Sequence, residues 1–351
     1  MGDDALDRDA RIKLSIGTKE LGDATGMFNN PMGLVFDHHR GLLLVSDTGN
    51  HRVQVFSCGD DGGGSFVSKL GEKGSQPGQL EHPWGLAIDH DHDRILITDC
   101  FNHRVQSWSL SERLFLSCVG QKGSRDLEFV GPRGIAVDKH HRRIIIADTY
   151  IHRLVFLSSI DLSFLFSIGK HGHQPGEFFR PSGVAIDHDR HRIIVADTYN
   201  NRVQVLSLID GSFLFEFGEE GDASRFIYPH GVCIANQGRI IVADTENYRL
   251  QAFTHEGHHI SSFDDDIEYP RAVAFDEHRG LIASTSGHRV HVIGANQWLA
   301  DTFIWRVDLH RYAPSWMKQA VLTMTMIRSL VDDSAMSMIP NELLFEIFSF
   351  L

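Results

Sequence analysis

The sequence predicts an all-β fold, a β-propeller of six four-stranded blades. The first observation is a phrase of the form DTxNHRVQ, which occurs six times at intervals of 40 to 52 residues. The second is a phrase of the form PxGVAID that precedes each copy. Repeats of this length indicate an array or a propeller. The copies are SDTGNHRVQVFS (46–57), TDCFNHRVQSWS (98–109), ADTYIHRLVFLS (147–158), ADTYNNRVQVLS (196–207), ADTENYRLQAFT (243–254) and ASTSGHRVHVIG (283–294).

The complete repeats contain four strand-like segments each, and the repeat region lacks the 3.6-residue period of a helix. In residues 183–218 the segments are GVAID, RIIVAD, RVQVLS and SFLFEFG, and polar turns separate them. Their β-branched and aromatic residues favour strands, and four antiparallel strands in ~48 residues are typical of one propeller blade. The glycine after each proline suits a crowded innermost strand.

The two ends of the repeat region predict how the ring closes. The sixth copy ends after its third strand, whereas RIKLSIG at 11–17 resembles the fourth strand of a blade. We therefore expect this N-terminal strand to complete blade six and to remove the open edges of the ring. The predicted division is a disordered N-terminus at 1–10, the propeller at 11–297, a linker with an amphipathic helix at 298–335, and a short helix at 336–351.

Composition argues against several classes of protein. The formal net charge of -13 disfavours a broad surface for nucleic acid or lipid. The four cysteines lack the spacing of a zinc site, as expected for reduced thiols. The N-terminus lacks the apolar centre of a signal peptide, and no run reaches the ~18 apolar residues of a membrane span. We expect a cytoplasmic protein, with the nucleus as the alternative, and no membrane partner.

The segment GKHGHQPGEFFRPSGVAIDHDRHRIIVADTYNNRVQVLS at 169–207 resembles the NHL repeat. The resemblance recurs over about residues 11–297, with departures at Ile151, Ala272, Ser284 and Gly287. It implies a propeller that binds a protein or an RNA, and NHL propellers occur in ubiquitin ligases. Those ligases usually carry a RING, and no Cys/His pattern for one is present, so any such role here would be client recognition.

An aspartate and an arginine recur five residues apart in the long phrase. A catalytic ring and a structural role for these pairs are both conceivable, but a reacting group needs unlike neighbours on its two sides. The repetition therefore favours a charge-assisted bond that fixes the turn between strands two and three. Ser284 is taken as the sixth anchor. The pairs are Asp47/Arg52, Asp99/Arg104, Asp148/Arg153, Asp197/Arg202 and Asp244/Arg249.

Histidines are concentrated in the turns between strands one and two. Segments such as DHDHDR suggest metal ligands, but we expect these turns to lie on separate blades without a third convergent ligand. The prediction is therefore solvated turns, no metal site and no cofactor. These histidines are His38, His39, His90, His92, His140, His141, His188 and His191.

Two positions per blade vary although their neighbours repeat. One lies between the proline and the glycine, and the other lies two residues after the anchor. Both are expected around one mouth of the channel, where loops on a rigid frame carry specificity. Aromatic residues beside arginine are typical of binding hot spots and of base stacking, although each ring could instead pack on its own loop. The predicted partner-binding residues are Trp84, Phe101, Arg133, Tyr150, Tyr199, His230 and Arg271.

The last segment, MSMIPNELLFEIFSFL at 336–351, places its apolar residues on one face of a predicted helix. It resembles the opening of an F-box, a partial match that implies contact with the small adaptor of cullin ubiquitin ligases. The alternative is a helix that docks on the propeller. The residues that would bind the adaptor are Ile339, Pro340, Leu343, Leu344, Ile347 and Phe348.

The function that we predict from the sequence is a non-catalytic scaffold that recognises a client protein, as part of a ubiquitin-ligase pathway leading to protein ubiquitination and proteasomal degradation. The alternative is an RNA-binding propeller in post-transcriptional regulation. A metal-dependent lyase or hydrolase is less favoured, because the innermost strands offer no asymmetric set of His and Asp residues. We expect no small-molecule substrate.

Overall fold

The structure is a computed structural model that describes residues 12–58, 64–218 and 224–295. The regular elements of these residues are β-strands and short 3-10 turns, as the predicted all-β fold requires. No helix in the described residues is long and apolar enough to cross a lipid bilayer. The predicted helices at 298–335 and 336–351, and the N-terminus at 1–10, lie outside the described residues.

The strands are numbered in chain order, beginning with β1 (Ile12–Gly17). Blade one comprises β2 (Pro31–Asp37), β3 (Leu42–Asp47), β4 (Arg52–Ser57) and β5 (Phe66–Leu70). Blade two comprises β6 (Pro83–Asp89), β7 (Arg94–Asp99), β8 (Arg104–Ser109) and β9 (Phe115–Val119). A short parallel pair follows, β10 (Gln121–Lys122) with β11 (Glu128–Phe129).

Blade three comprises β12 (Pro132–Asp138), β13 (Arg143–Asp148), β14 (Arg153–Ser158) and β15 (Phe164–Ile168). Blade four comprises β16 (Val184–Asp187), β17 (Arg192–Asp197), β18 (Arg202–Ser207) and β19 (Phe213–Phe217). Blade five comprises β20 (Pro229–Ala235), β21 (Arg239–Asp244), β22 (Arg249–Phe253) and β23 (His259–Phe263). Blade six contains β24 (Val273–Asp276), β25 (Leu281–Ser286) and β26 (Arg289–Gly294).

Six four-stranded antiparallel sheets make a six-bladed propeller. In blades one to five the four strands are consecutive in the chain. In blade six the order is β1-β26-β25-β24, so the outermost strand comes from the N-terminal end of the described residues. β1 runs antiparallel to β26, with Ile16 opposite Val290.

The second strand of each blade is buried on both faces, which explains its continuous apolar sequence. In blade three, Ile144 and Ile146 pack in a cluster shared with blade two. Ile145, between them, packs in the cluster shared with blade four. Successive side chains of a strand point to opposite faces, so each blade is held by both of its neighbours. The blades therefore share one ring of interfaces.

The glycines of the first strands permit the close approach of neighbouring blades at the centre of the ring. A Cβ atom at Gly183 would lie 2.2 Å from the carbonyl oxygen of His230, and one at Gly134 would lie 2.1 Å from that of Ser182. Neither distance is compatible with a side chain. The expectation of a crowded innermost strand is confirmed at these positions.

The aspartate that ends the second strand in blades one to five is a buried acceptor of hydrogen bonds. In blade four, Asp197 accepts four of them: from the amide of Phe179 at 2.7 Å, Asn200 Nδ2 at 2.8 Å, Arg202 Nε at 2.9 Å and Gln204 Nε2 at 3.0 Å. Its side chain is inaccessible to solvent. The repeated asparagine, arginine and glutamine are thus the partners of one buried charge.

Blade three lacks two of these donors, because Ile151 and Val155 replace the asparagine and the glutamine. Asp148 keeps the amide of Val130 at 2.7 Å and Arg153 Nε at 3.0 Å. Burial, opposed by these two partners alone, raises the pKa of Asp148 to about 6. The replacement of asparagine by Ile151 therefore leaves the buried carboxylate of Asp148 with less stabilisation of its charge than the carboxylates of the complete repeats.

Two further repeated residues join each blade to the next. In blade four, the hydroxyl of Thr198 donates to the carbonyl oxygen of Pro229 at 2.7 Å. In blade three, His152 has a left-handed backbone with φ 63°, and its Nδ1 accepts the amide of Arg180 at 3.0 Å. The repeated segment therefore supplies two things. Its aspartate accepts hydrogen bonds within the blade, and its threonine and histidine form hydrogen bonds with the next blade.

The position of the sixth anchor was predicted wrongly. The register pairs Ser286, not Ser284, with the arginine that begins the third strand, Arg289. Ser286 Oγ accepts the amide of Glu268 at 2.8 Å, as the aspartates accept the corresponding amides. The turn between strands two and three is two residues shorter in blade six, so counting back five residues from the arginine gives Ser284 instead of Ser286. Arg289 instead forms an ion pair with Asp266 at 3.0 Å.

We predict that Ile151→Asn stabilises the protein by about 1 kcal/mol at pH 7, because the new amide would donate to the carboxylate of Asp148. The folded-state pKa of about 6 lies above the reference value of 3.8. The ionised carboxyl therefore destabilises the fold fully above pH 6 and less as the pH falls toward 4. The gain should accordingly be larger at pH 7 than at pH 5. Urea unfolding at the two pH values measures it.

The matched control is Asn200→Ile, which removes the corresponding donor from blade four and should lower stability by a similar amount. A larger gain for Ile151→Asn at pH 5 than at pH 7 would contradict the assignment of the effect to an ionised Asp148.

Candidate partner-binding face

The turns between strands two and three and the segments that lead into the first strands lie on one face of the ring, here called the upper face. Backbone hydrogen bonds join the two sets. The amide of Tyr199 donates to the carbonyl oxygen of Phe179 at 3.0 Å, and the amide of Tyr150 donates to that of Val130 at 3.1 Å. The two variable positions that were predicted to share a face are therefore adjacent.

The residues between the proline and the glycine surround the mouth of the central channel. The channel has a volume of about 70 Å³, which is far below the ~300–1,000 Å³ of sites for small organic ligands. Its lining residues include no aspartate or glutamate. The variable residues of the lining are Met32, Trp84, Ser182, His230 and Arg271.

Three of the mouth residues form a polar chain across blades four, five and six. Ser182 Oγ lies 3.1 Å from His230 Nδ1, and Arg271 Nη1 lies 2.7 Å from His230 Nε2. Burial lowers the pKa of His230 well below its ordinary value, and the charges of Arg271 and Arg133 lower it further. His230 is therefore a neutral imidazole at pH 7 that accepts a hydrogen bond from Arg271.

An aromatic and cationic stack lies beside this chain. The guanidinium of Arg133 is 4.1 Å from the ring centre of Trp84 and 5.4 Å from that of Tyr150. Arg133 Nη2 also donates to the hydroxyl of Tyr150 at 3.2 Å. Trp84 and His230 are nearly parallel, with their ring centres 6.4 Å apart. Five of the predicted residues are thus brought into one connected group through Arg133 and His230.

The stack continues outward through residues that the sequence analysis missed. Arg180 lies 5.2 Å from the ring centre of Tyr150 and 4.7 Å from that of Tyr199. The ring centre of Tyr228 is 5.1 Å from that of Tyr199. Arg180 therefore connects Tyr199 to the group. We call the seven residues the aromatic–arginine patch: Trp84, Arg133, Tyr150, Arg180, Tyr199, Tyr228 and His230.

A third variable position per blade, the residue before the proline, would have revealed these residues. Arg180 and Tyr228 occupy it in blades four and five, with left-handed backbones of φ 53° and φ 50°. This conformation is uncommon outside glycine, and it repeats at all six sites. In the sequence, this position can be recognised as a residue that varies between blades and directly precedes the repeated proline. The six are Asn30, His82, Gly131, Arg180, Tyr228 and Tyr269.

Phe101 stands apart from the patch. Its ring centre lies 4.3 Å from that of His82, so it packs on the loop of its own blade, as the alternative interpretation anticipated. Its side chain is nevertheless 52% exposed.

The repeated Asp/Arg pairs contribute no accessible carboxylate to the face, since all five aspartates are inaccessible to solvent.

The opposite, lower face contradicts the prediction that turn histidines stay apart. His38, His39 and His90 come from the turns of blades one and two, and one ligand atom from each can lie within 4.8 Å of the others. The rings of His38 and His278 of blade six are 4.7 Å apart. The turns of neighbouring blades meet because the blades pack side by side. By contrast, His92 is held by Asp89, with Nδ1 2.9 Å from Oδ2.

The predicted adaptor-binding residues, Ile339 to Phe348, lie outside the described part of the chain.

Comparison with known proteins identifies the repeats. The sequence model of the NHL repeat matches residues 28–56, 80–107, 178–206 and 226–253, which lie in blades one, two, four and five. The chain therefore carries four NHL repeats on a six-bladed propeller. Blades three and six contain the departures at Ile151 and Ser286.

Two curated proteins share part of this sequence. Protein brain tumor of Drosophila melanogaster is 31% identical over 91 residues, which are 26% of this chain and 8% of that protein. NHL repeat-containing protein 2 of Gallus gallus is 22% identical over 113 residues, 31% of this chain and 16% of that protein. The chain thus spans a small part of the length of either relative.

Solved structures share the propeller fold at low sequence identity. A gluconolactonase from Xanthomonas campestris has a TM-score of 0.60 at 15% identity, covering 81% of this chain and 91% of its own. A streptogramin B lyase has a TM-score of 0.54 at 11% identity, covering 75% and 78%. A chain of the nidogen/laminin complex has a TM-score of 0.54 at 17% identity, covering 66% and 79%.

We predict that His230 stays neutral at pH 7 and that Arg271→Gln raises its pKa, because the substitution removes a neighbouring positive charge. Since burial remains, the pKa should still lie below that of an exposed histidine. Nitrogen chemical shifts of the imidazole, followed by NMR through a pH titration, measure the change. An unchanged or lower pKa in the variant would show that Arg271 does not act on His230 electrostatically.

Proposed function

We propose that this protein is a non-catalytic interaction module whose aromatic–arginine patch binds a client protein. The observation that carries the proposal is the continuous series of contacting aromatic and guanidinium groups from Trp84 to Tyr228 on one face. Tryptophan, tyrosine and arginine are the residues that dominate binding energy at protein interfaces. Tyr150 and Tyr228 remain 38% and 39% exposed, so their rings are accessible to a partner.

The rigidity of the frame supports the same proposal. The patch is displayed on segments that hydrogen bonds fix to the buried aspartates, so little conformational entropy would be lost on binding. The tyrosine rings already position the two guanidinium groups, which give this face positive charge in a protein of net charge -13. An acidic or aromatic segment of a client is therefore the best chemical complement.

A second candidate is single-stranded RNA, since Arg180 lies between Tyr150 and Tyr199 at distances of 5.2 Å and 4.7 Å. Bases stack on tyrosine and on guanidinium planes, and arginine also contacts phosphate. The overall acidic charge weighs against it. A phosphate-led complex would weaken steeply with salt, whereas a protein complex dominated by aromatic contacts would not.

An enzyme is less favoured, although two of the structures with this fold are a gluconolactonase and a lyase. The likeness is below 25% identity and concerns the fold alone. The channel of this chain is small, and its lining offers a neutral histidine and arginine without a carboxylate. General acid–base chemistry would need a second titratable group beside His230.

We predict that the double variant Trp84→Ala/Tyr150→Ala loses the client while its melting temperature stays within a few degrees of the wild type. Both side chains are partly exposed, so their removal leaves the buried blade interfaces intact. Affinity capture from cell extract with quantitative mass spectrometry, with and without RNase, measures the loss. The expected result is a set of proteins that the wild type retains in RNase and the variant does not.

The matched control is Leu165→Ala/Leu214→Ala, which removes two exposed apolar side chains from the outermost strands of blades three and four, outside the aromatic–arginine patch. It should capture the same proteins as the wild type. Equal capture by the patch variant would eliminate the patch as the binding surface. Loss of all partners on RNase treatment would replace the client protein with RNA.

We further propose that residues 336–351 link the propeller to a cullin-ligase adaptor, which would make the protein the client-recognition subunit of a ubiquitin ligase. Support comes from the F-box-like sequence alone. The prediction is that Leu343→Ala/Leu344→Ala/Ile347→Ala loses adaptor peptides from the same capture and keeps the clients. If the wild type captures no adaptor, the ubiquitin-ligase role is wrong. The proposed client binding by the aromatic–arginine patch is not affected by that result.

A further inference from the structure

Histidines from three blades converge on the lower face, at the turns between strands one and two. The ring centres of His39 and His90 are 4.2 Å apart, those of His38 and His39 are 4.4 Å apart, and those of His38 and His90 are 5.2 Å apart. His278 contacts His38 from the other side. Four imidazoles from turns far apart in the chain therefore meet at one place.

In three of these four rings the nitrogens have no hydrogen-bond partner among the described residues. In the described part of the chain, no hydrogen bond engages the ring nitrogens of His38, His39 or His90. In blade three the opposite holds, because His141 Nδ1 lies 2.9 Å from the carboxylate of Asp138. The histidines of the cluster thus have nitrogen lone pairs that remain available.

The local sequence explains why the fold leaves them free. In blade one, Arg40 stands three residues after the buried Asp37 and binds its carboxylate at 3.2 Å. In blades two and three a histidine, His92 or His141, occupies that position and is held by the aspartate. Because arginine takes the carboxylate in blade one, Asp37 forms no hydrogen bond with His38 or His39 in the described residues.

We propose that His38, His39 and His90 form a binding site for a divalent transition-metal ion of the zinc class. All three can contribute one nitrogen within 4.8 Å of the others, so small side-chain rotations would bring them to the Zn–N distance of about 2.0–2.1 Å around one ion. Imidazole suits zinc, nickel and copper, whereas calcium and magnesium prefer oxygen ligands. His39 is exposed, so the fourth coordination position is open to water.

The protonation state of the rings agrees with this role. Burial and the neighbouring histidines lower the pKa of His38, and burial and His39 lower that of His90. Neutral imidazole is the form that binds a metal. An ion here would connect blade one to blade two, next to blade six, where the N-terminal strand completes the ring.

Two other sets of side chains are weaker candidates. His38, Glu277 and His278 also lie within reach of one ion, but both residues of blade six are exposed and His38 is shared. His51, Glu81 and His82 form a third set on the upper face. There His51 Nδ1 already accepts the amide of His82 at 3.2 Å, so the fold uses one of its two nitrogens.

The test uses the full chain without a histidine tag, treated with EDTA and dialysed. Isothermal titration with zinc chloride alone should show one ion bound with an affinity in the micromolar range or tighter. A saturating concentration should raise the melting temperature by about 5 °C, because the ion binds only the folded ring. Cobalt in place of zinc should give visible absorption bands of a four-coordinate site.

The variants His38→Gln and His90→Gln should each weaken zinc binding at least about tenfold. The matched controls His140→Gln, from a histidine pair on the same face, and His278→Gln should bind within about threefold of the wild type. Melting temperatures without metal show whether each variant is folded. Absence of zinc binding by the wild type, or losses as large for His278→Gln as for His90→Gln, would overturn the three-ligand site.

Discussion

In blades one to five, the structure depends on the hydrogen bonds of a buried carboxylate at the end of the second strand. In blades one, two, four and five it accepts hydrogen bonds from a backbone amide, an asparagine, an arginine and a glutamine. A carboxylate that is removed from water without such partners would cost several kcal/mol. Once the aspartate is present, the identities of its four donors are therefore constrained together, and the phrase repeats as a unit.

The same network fixes the surface that carries recognition. The guanidinium of Arg202 binds the carbonyl oxygens of His173, Gln174 and Glu177, all in the loop that leads into the first strand of its blade. This loop is therefore part of the blade's hydrogen-bonded core, although it lies on the upper face. Three positions of each blade, namely the residue before the proline, the residue after it and the residue two after the anchor, differ from blade to blade on this face.

The sequence predicted the features that follow from periodicity. The six blades, the crowded glycines and the shared face of two variable positions all depend on spacing along the chain. The position before the proline was missed because its importance comes from a left-handed backbone, as at Arg180, which spacing does not reveal. Ser286 was misaligned because a shortened turn shifts the register by two residues. The tail residues proposed to bind an adaptor rest on sequence alone.

The histidines of the lower face show why convergence between blades escapes a reading along the chain. His38 and His90 are 52 positions apart, and each turn alone offers too few ligands for an ion. The packing of neighbouring blades brings equivalent turns together, so a residue placed at the same turn in two blades meets its counterpart. In blade one the third residue after Asp37, the aspartate that ends the first strand, contributes as well. Arginine there, as at Arg40, occupies the carboxylate and leaves the imidazoles available for other chemistry.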